Sequence, residues 1–186
     1  MPHALPPDTT LGFALSAAER AEAVRYIECR MREHFGGDPP PTRGLICVAR
    51  TNGTIVGTMV LQGSPPGEPF PIEDHYDFDG THPFHDGRDS VIEGSRWIAS
   101  VPGISRALVI ATMTLARDLG KRRMLIEAKP YSTKRLAELG FICRPIGGAS
   151  LSIARVRSIV GDSGMPYYLT PPAPCPYLID LGDAIA

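Results

Sequence analysis

The sequence predicts an α/β (α+β) domain in which helices flank a mixed central sheet, and three observations carry that expectation. An amphipathic helix follows a capping signal at Ser16, and two apolar strands flank an Asn52-Gly53 turn. Between 91 and 128 a strand, a Pro102-Gly103 turn, an apolar helix and a second strand follow one another. A unit of that length joins two parallel strands by a right-handed crossover, whereas the Asn-Gly turn makes an antiparallel hairpin. Both kinds of neighbour should therefore share one sheet.

With 186 residues, 43% hydrophobic and 21% charged, the chain is long enough for one core and short for two. A net charge of -1 supplies no basic field, so nucleic acid is not an expected partner. No apolar stretch approaches the roughly 20 residues that span a bilayer, and 1–7 lacks a basic start followed by an apolar run, so a cytoplasmic protein without membrane contact is expected. Cys29, Cys47, Cys143 and Cys175 are scattered, which suggests neither a zinc site nor a redox pair.

Taken in order, 1–14 reads as an irregular lead-in. Ser16 and Glu19 have capping-box spacing, and the helix they open should run to Phe35 and stop at Gly36-Gly37. Strands follow at 45–50 and 54–61. Residues 63–89 read as a long loop rich in Pro, Gly, Asp and His. His75, His82 and His85 lie there near Asp74, Asp77, Asp79 and Asp86, without ligand spacing, so solvated histidines are expected rather than a metal site. After the 91–99 strand comes a helix over 104–119, then a strand over 123–128. Ser132 should cap a short helix ending at Gly140, and 141–146 and 151–156 should close the sheet around Gly147-Gly148. Residues 1–162 thus form the domain, and 163–186, dense in Pro and Tyr, reads as an arm lying on the surface or against a second copy.

The chemical signal is in the 91–99 strand. Glu93 and Arg96 sit inside a β-branched, aromatic run, and two unlike charges are costly to bury unless paired or used. A buried ion pair that only fixes the fold is the bland alternative. In a regular strand residues three apart point to opposite faces, so a shared role demands a bulge, expected at Gly94. Trp97 reads as an interior aromatic filling the gap between sheet and helix, or as a pocket wall.

Glu93-Gly94-Ser95-Arg96 is similar to the E-x-S-R strand of acyl-homoserine-lactone synthases and long-chain N-acyl amino acid synthases within the GNAT acyltransferase superfamily. Gly57-Thr58-Met59-Val60-Leu61 resembles their G-T-x-R-L strand, Phe70-Pro71-Ile72-Glu73 a Pro-containing loop of the amino acid synthases, and Arg135-Leu136-Ala137-Glu138-Leu139-Gly140-Phe141 the superfamily's late helix-Gly-Phe phrase. The resemblance implies a sheet splayed at its central strand and transfer of an acyl group from an acyl carrier protein or coenzyme A thioester to the amine of a small molecule such as an amino acid. It makes Glu93 the general base, with Arg96 beside it. Trp97, Ile98, Ala99, Gly103, Ile104 and Ser105 would hold the acyl-phosphopantetheine donor, and Tyr131, at the helix start, would substitute for the thiolate-protonating tyrosine that the superfamily carries inside that helix, where this chain has Leu136 and Ala137. No metal is implied.

The chain departs from the pattern in several further places, among them 36–44, where the lactone synthases' Trp and Asp that shape the S-adenosylmethionine pocket find no match. Pro102-Gly103-Ile104-Ser105 carries one glycine where the superfamily's pyrophosphate loop has more, which favours a carrier protein. Val60 replaces an arginine of the lactone synthases, and Tyr76-Asp77-Phe78-Asp79 lies after the hairpin rather than before it, so lactone synthesis is the runner-up. A non-catalytic binding module is the rival from another class, and an aminoacyl-tRNA donor an outside possibility. Arg122, Arg123, Arg155 and Arg157, with Lys121, Lys134 and Arg135, offer either a docking face for an acidic carrier protein or a solvated edge.

Overall fold

The computed structural model describes residues 4–36, 39–65, 68–79 and 87–182, and His82, His85 and Asp86 lie outside them. Helix α1 (Ala17–Phe35) opens with the full capping box, Ser16 accepting from the Glu19 amide and Glu19 from the Ser16 amide, and ends at Gly36 in the left-handed conformation. The hairpin is present as β2 (Leu45–Thr51) and β3 (Thr54–Gln62), with Asn52 and Gly53 at φ +50° and +76°. The 1–14 segment is not wholly irregular, because β1 (Thr9–Phe13) pairs antiparallel with β2 and forms the sheet edge.

The long 63–89 stretch also holds structure. A 3₁₀ turn over Pro71–Asp74 buries Ile72, and β4 (Tyr76–Phe78) follows, with Tyr76 buried and its hydroxyl donating to the Pro174 carbonyl. Next come β5 (Val91–Ala99), α2 (Ile104–Asp118) and β6 (Arg123–Ala128), and β5 and β6 run parallel as the crossover rule requires. Helix α3 (Pro130–Glu138) starts two residues before Ser132, because Pro130 at its first turn lacks the amide that would need a cap.

The C-terminal third departs most from expectation. Strands β7 (Cys143–Pro145) and β8 (Ala149–Leu151) do not pair with one another, since β8 makes a separate ribbon with β4. What reads as a strand beyond Leu151 is the start of α4 (Ile153–Leu169), which is broken at Gly161 with φ +67° and ψ 174°. Instead of an arm, α4 leads into β9 (Cys175–Asp180), which lies between β6 and β7 and pairs antiparallel with both. The described part of 163–186 is thus woven into the sheet, and the expected dimer through a free arm loses its basis.

The seven-stranded sheet runs β1-β2-β3-β5-β6-β9-β7, and β5–β6 is its parallel pair. On one face Leu108, Val109 and Met113 of α2 and Leu136 of α3 pack with Met59, Met124 and Ile126. The other face carries α1 through Ala23 and Ile27 on Val60, and the 3₁₀ turn through Phe70 and Ile72 on Val91 and Leu125. No helix among the described residues is long and apolar enough to cross a membrane.

Candidate active site

Strand β5 changes character halfway along. Val91–Gly94 is in register with Arg123–Ile126 of β6, but β5 continues to Ala99 without further partners in β6, so the two parallel strands part after Gly94. On its other side β5 stays paired with β3, where Val60 faces Ser95 and Thr58 faces Ile98. Two residues, Arg96 and Trp97, therefore oppose the single Met59, which is a bulge. Arg96 carries it with φ +50°, a conformation that side-chain-bearing residues rarely adopt and that concentrates at functional sites.

The bulge is not at Gly94. That residue stays in register with Leu61 and Ile126 and is closely packed, since a Cβ there would come within 2.8 Å of the Met124 sulfur and 3.2 Å of the Met59 methyl, and those side-chain ends would have to shift. One extra residue before Trp97 turns Arg96 toward the face Glu93 occupies. Its Nη2 donates to the carbonyls of Pro40 (2.7 Å) and Pro41 (3.4 Å), in the link after α1.

A cavity of about 480 Å³ occupies the parting. Met59, Met113, Ile126, Leu136 and Ile179 line it from the α2–α3 side, and Ile72, Glu93, Ile98, Val160 and Tyr168 from the opposite side. It thus passes through the sheet. One side is apolar; the other gathers Glu93, Arg96, His75, Glu127 and Tyr168, with Tyr131 also in the wall. The volume and mixed lining suit a small ligand with an apolar portion.

Glu93 is 6% exposed and its carboxylate accepts from the Ile72 amide at 3.0 Å. Burial pushes its pKa up to about 8; the Ile72 hydrogen bond opposes this, Glu127 adds to it, and His75 and Arg96 pull the other way. Glu127 is held differently, by the His75 Nδ1 at 2.7 Å. Burial alone would lower the imidazole's pKa, but its hydrogen bond to Glu127 and the charges of Glu127, Glu93 and Asp74 leave it raised. The Tyr168 hydroxyl stands 3.4 Å from the same nitrogen, its own pKa raised by burial and then by Glu127. Arg96 is lowered by burial, against the attraction of Glu93. Among the described residues no group of three or more His, Cys, Asp or Glu is placed to hold a metal ion.

A second depression opens at the far end of β5. Trp97, Ala99, Gly103, Ser105, Arg106, Arg135 and Leu139 border this groove, at the N-terminus of α2. Gly103 caps the helix at φ +85°, and the first-turn amides there carry the positive end of the helix dipole. Of the six expected donor-binding residues, Trp97, Ala99, Gly103 and Ser105 border the groove, Trp97 and Ile98 the cavity, and Ile104 is fully buried in the core.

Glu93, Arg96 and Tyr131 are brought to one cavity, although Tyr131 is 59% exposed. The four arginines of the expected docking face are not brought together. Arg122 and Arg123 lie at the start of β6, level with Val91, while the groove lies beyond Ala99, roughly 25 Å away at 3.3 Å per strand residue. On α4, Arg155 is paired with Asp77 (2.7 Å) and Arg157 with Asp162 (3.0 Å). Glu127, Tyr168 and Arg106 escaped the sequence reading, and His75 was weighed only as a loop histidine. Glu127 had the signal that exposed Glu93, an acid in an apolar strand.

No family model and no curated protein matches the sequence. The fold is nevertheless shared with solved structures. FeeM, an N-acyl amino acid synthase from uncultured soil microbes, is 14% identical with a TM-score of 0.62, over 94% of this chain and 91% of that one. The AHL synthase LasI is 11% identical with a TM-score of 0.61, over 96% of each. A putative acetyltransferase of Salmonella typhimurium, yncA, solved with acetyl-CoA, is 16% identical with a TM-score of 0.52, over 96% and 97%. The chain shares the fold of these acyl- and acetyltransferases, with the mixed sheet that the hairpin and the crossover unit predict.

Proposed function

We propose that this protein is an N-acyltransferase that moves an acyl group from a phosphopantetheine thioester to the amine of a small molecule such as an amino acid. The supporting observation is the cavity at the parted strands, which joins a buried carboxylate, without a cationic partner in contact among the described residues, to an apolar pocket on the other side of the sheet. The likeness to an N-acyl amino acid synthase agrees with this reading. Glu93 takes one proton from the substrate ammonium; the freed amine adds to the thioester carbon; the tetrahedral oxyanion collapses with cleavage of the C–S bond. As the amide forms, the second amine proton passes through Tyr131 or water to the departing thiolate, and Glu93 returns the first to solvent, so ammonium and thioester give amide, thiol and one proton. A carboxyl pKa raised to about 8 makes the first transfer far less uphill than an ordinary carboxylate would.

The donor's pantetheine arm runs from the groove at the N-terminus of α2 into the cavity. Arg106 and Arg135 flank that groove and, with the helix amides, suit the donor's phosphate. Both coenzyme A and an acyl carrier protein present a phosphate on this arm; yncA, of the same fold, was solved with acetyl-CoA. With Arg122 and Arg123 at the opposite sheet end and Arg155 and Arg157 paired on α4, docking of a carrier protein would rest on Arg106 and Arg135 instead.

The experiment is to offer acyl-coenzyme A and acyl carrier protein thioesters with a pool of amino acids and to follow free thiol and N-acyl products by mass spectrometry. Amide formed with either donor supports the reading, and none with both sinks it. Lactone synthesis is the second reading, favoured by the similar likeness to LasI. Thermal stabilisation by S-adenosylmethionine would separate it from the first.

A further inference from the structure

The link between α1 and β2 has no helix or strand over 39–44, and Pro39-Pro40-Pro41 brings it no backbone N–H to pair with. Its carbonyls are therefore the handles by which it can be held, and two guanidinium groups take them. Arg20 of α1 donates through Nη1 to the Gly44 carbonyl (2.7 Å) and through Nη2 to the Thr42 carbonyl (3.0 Å). Arg96 of β5 donates through Nη2 to the carbonyls of Pro40 (2.7 Å) and Pro41 (3.4 Å). Charged donors make the stronger hydrogen bonds, so the link is gripped along its length from two elements. Its end lies tight against β3, where a Cβ on Gly44 would come within 2.1 Å of the Leu61 carbonyl oxygen. Pro39, Pro40, Pro41 and Arg43 line the cavity that Glu93 lines, whereas Arg20 is not in its wall. The left-handed turn at Arg96 thereby has a use: it aims the guanidinium at the link.

We propose that Arg20 and Arg96 are positioning residues that clamp the 39–44 link as a wall of the amine's half of the cavity. Amine affinity is then set partly from outside the site, by a helix residue that touches no substrate. The inference rests on the transfer reading above and adds to it what holds the acceptor's side of the cavity in shape. The link follows α1, which packs on the sheet face where Glu93 lines the cavity, so the molecule it walls in is the amine rather than the acyl chain. Arg96, which the resemblance sets beside the base, acts through the link instead of on the reacting atoms.

Arg20→Met keeps the apolar stem and removes both donors. In the whole protein it should raise the KM for the amino acid about tenfold, with the thioester KM and kcat at saturating amine unchanged. Arg20→Lys restores one charged donor and should recover part of the loss; it carries the same readouts at smaller size if the methionine variant does not fold. Arg96→Met should also raise the amine KM, and the double variant should lose less than the product of the two, because both act on one link. Losses that multiply would put Arg96 in direct contact with substrate and overturn its positioning role. Independently of turnover, the ¹H–¹⁵N heteronuclear NOE of the Thr42, Arg43 and Gly44 amides should fall in Arg20→Met while those of β2 and β3 hold. Unchanged values there, or a loosened link with an unmoved amine KM, overturn the proposal and leave the transfer reading intact. If the wild type forms no amide from any thioester, the transfer reading falls and this inference with it, whatever the link does.

Discussion

Glu93 and Glu127 stand on neighbouring parallel strands and line the same cavity, yet the structure treats them differently. Glu127 has the partly buried His75 imidazole against it at 2.7 Å, and that contact raises the imidazole's affinity for a proton. Glu93 is more deeply buried and, among the described residues, is met by the Ile72 amide, with Arg96 acting on it through space. A carboxylate hydrogen-bonded to an imidazole is committed to that partner, whereas one met by a backbone amide is open to exchange a proton with a ligand. Under the proposed function, proton transfer falls to Glu93 and organisation of the polar wall to Glu127.

The largest test of that assignment is Glu93→Gln, which keeps the shape and an oxygen for the Ile72 amide. Turnover should fall roughly 100- to 10,000-fold. In the wild type kcat/KM should rise with pH as Glu93 loses its proton, levelling above about pH 8. A pH-independent rate, or a variant within a few-fold of wild type, would remove Glu93 as the base.

The same substitution should have the opposite effect on stability. Glu93 has a folded pKa of about 8 against an ordinary 4.5, so the folded state binds the proton more tightly than the unfolded state. Stability from this group is therefore complete below about pH 4.5 and is lost as pH climbs through 8. The loss is on the order of 3 to 5 kcal/mol. Urea midpoints for wild type and Glu93→Gln should be close at pH 5 and separate at pH 9, with the variant the more stable. Parallel curves would mean that Glu93 is better solvated than its burial implies.

Glu127→Gln probes the other member and should be milder, about tenfold in kcat/KM. Its clearer signature is on His75. With Glu127 neutral, the burial that opposes protonation is largely unanswered, so the imidazole pKa should drop from above its usual 6.5 to below it in an NMR titration. An unchanged titration would make the 2.7 Å contact incidental.

The contrast also shows what the sequence made legible. Glu93 was visible because an acid in a β-branched run is costly, and the hairpin and α1 because Asn52-Gly53 and Ser16–Glu19 are local devices. The His75–Glu127 pair is not local: its partners are 52 residues apart, and Tyr168 is 93 from His75. Strand β9 was hidden by its prolines. Pro176 lies near the start of an internal strand, where its missing amide is tolerated and its carbonyl still accepts from Ile146. The irregularity in β5 was foreseen but assigned to Gly94, because glycine is the usual bulge residue; close packing against Met124 and Met59 explains that glycine, and Arg96 takes the left-handed turn.

The smallest expected effect concerns the proton's way out. Tyr131 lines the same cavity but is 59% exposed, at the start of α3, where water reaches it readily. A thiolate released there has solvent as an alternative acid, so Tyr131→Phe should slow turnover less than about fivefold. The comparison with Glu93 makes this informative, since a buried base has no substitute and an exposed acid does. A hundredfold loss would mean that bound substrates seal the mouth and that water is excluded there too. Tyr131 would then join Glu93 as a group the reaction cannot do without.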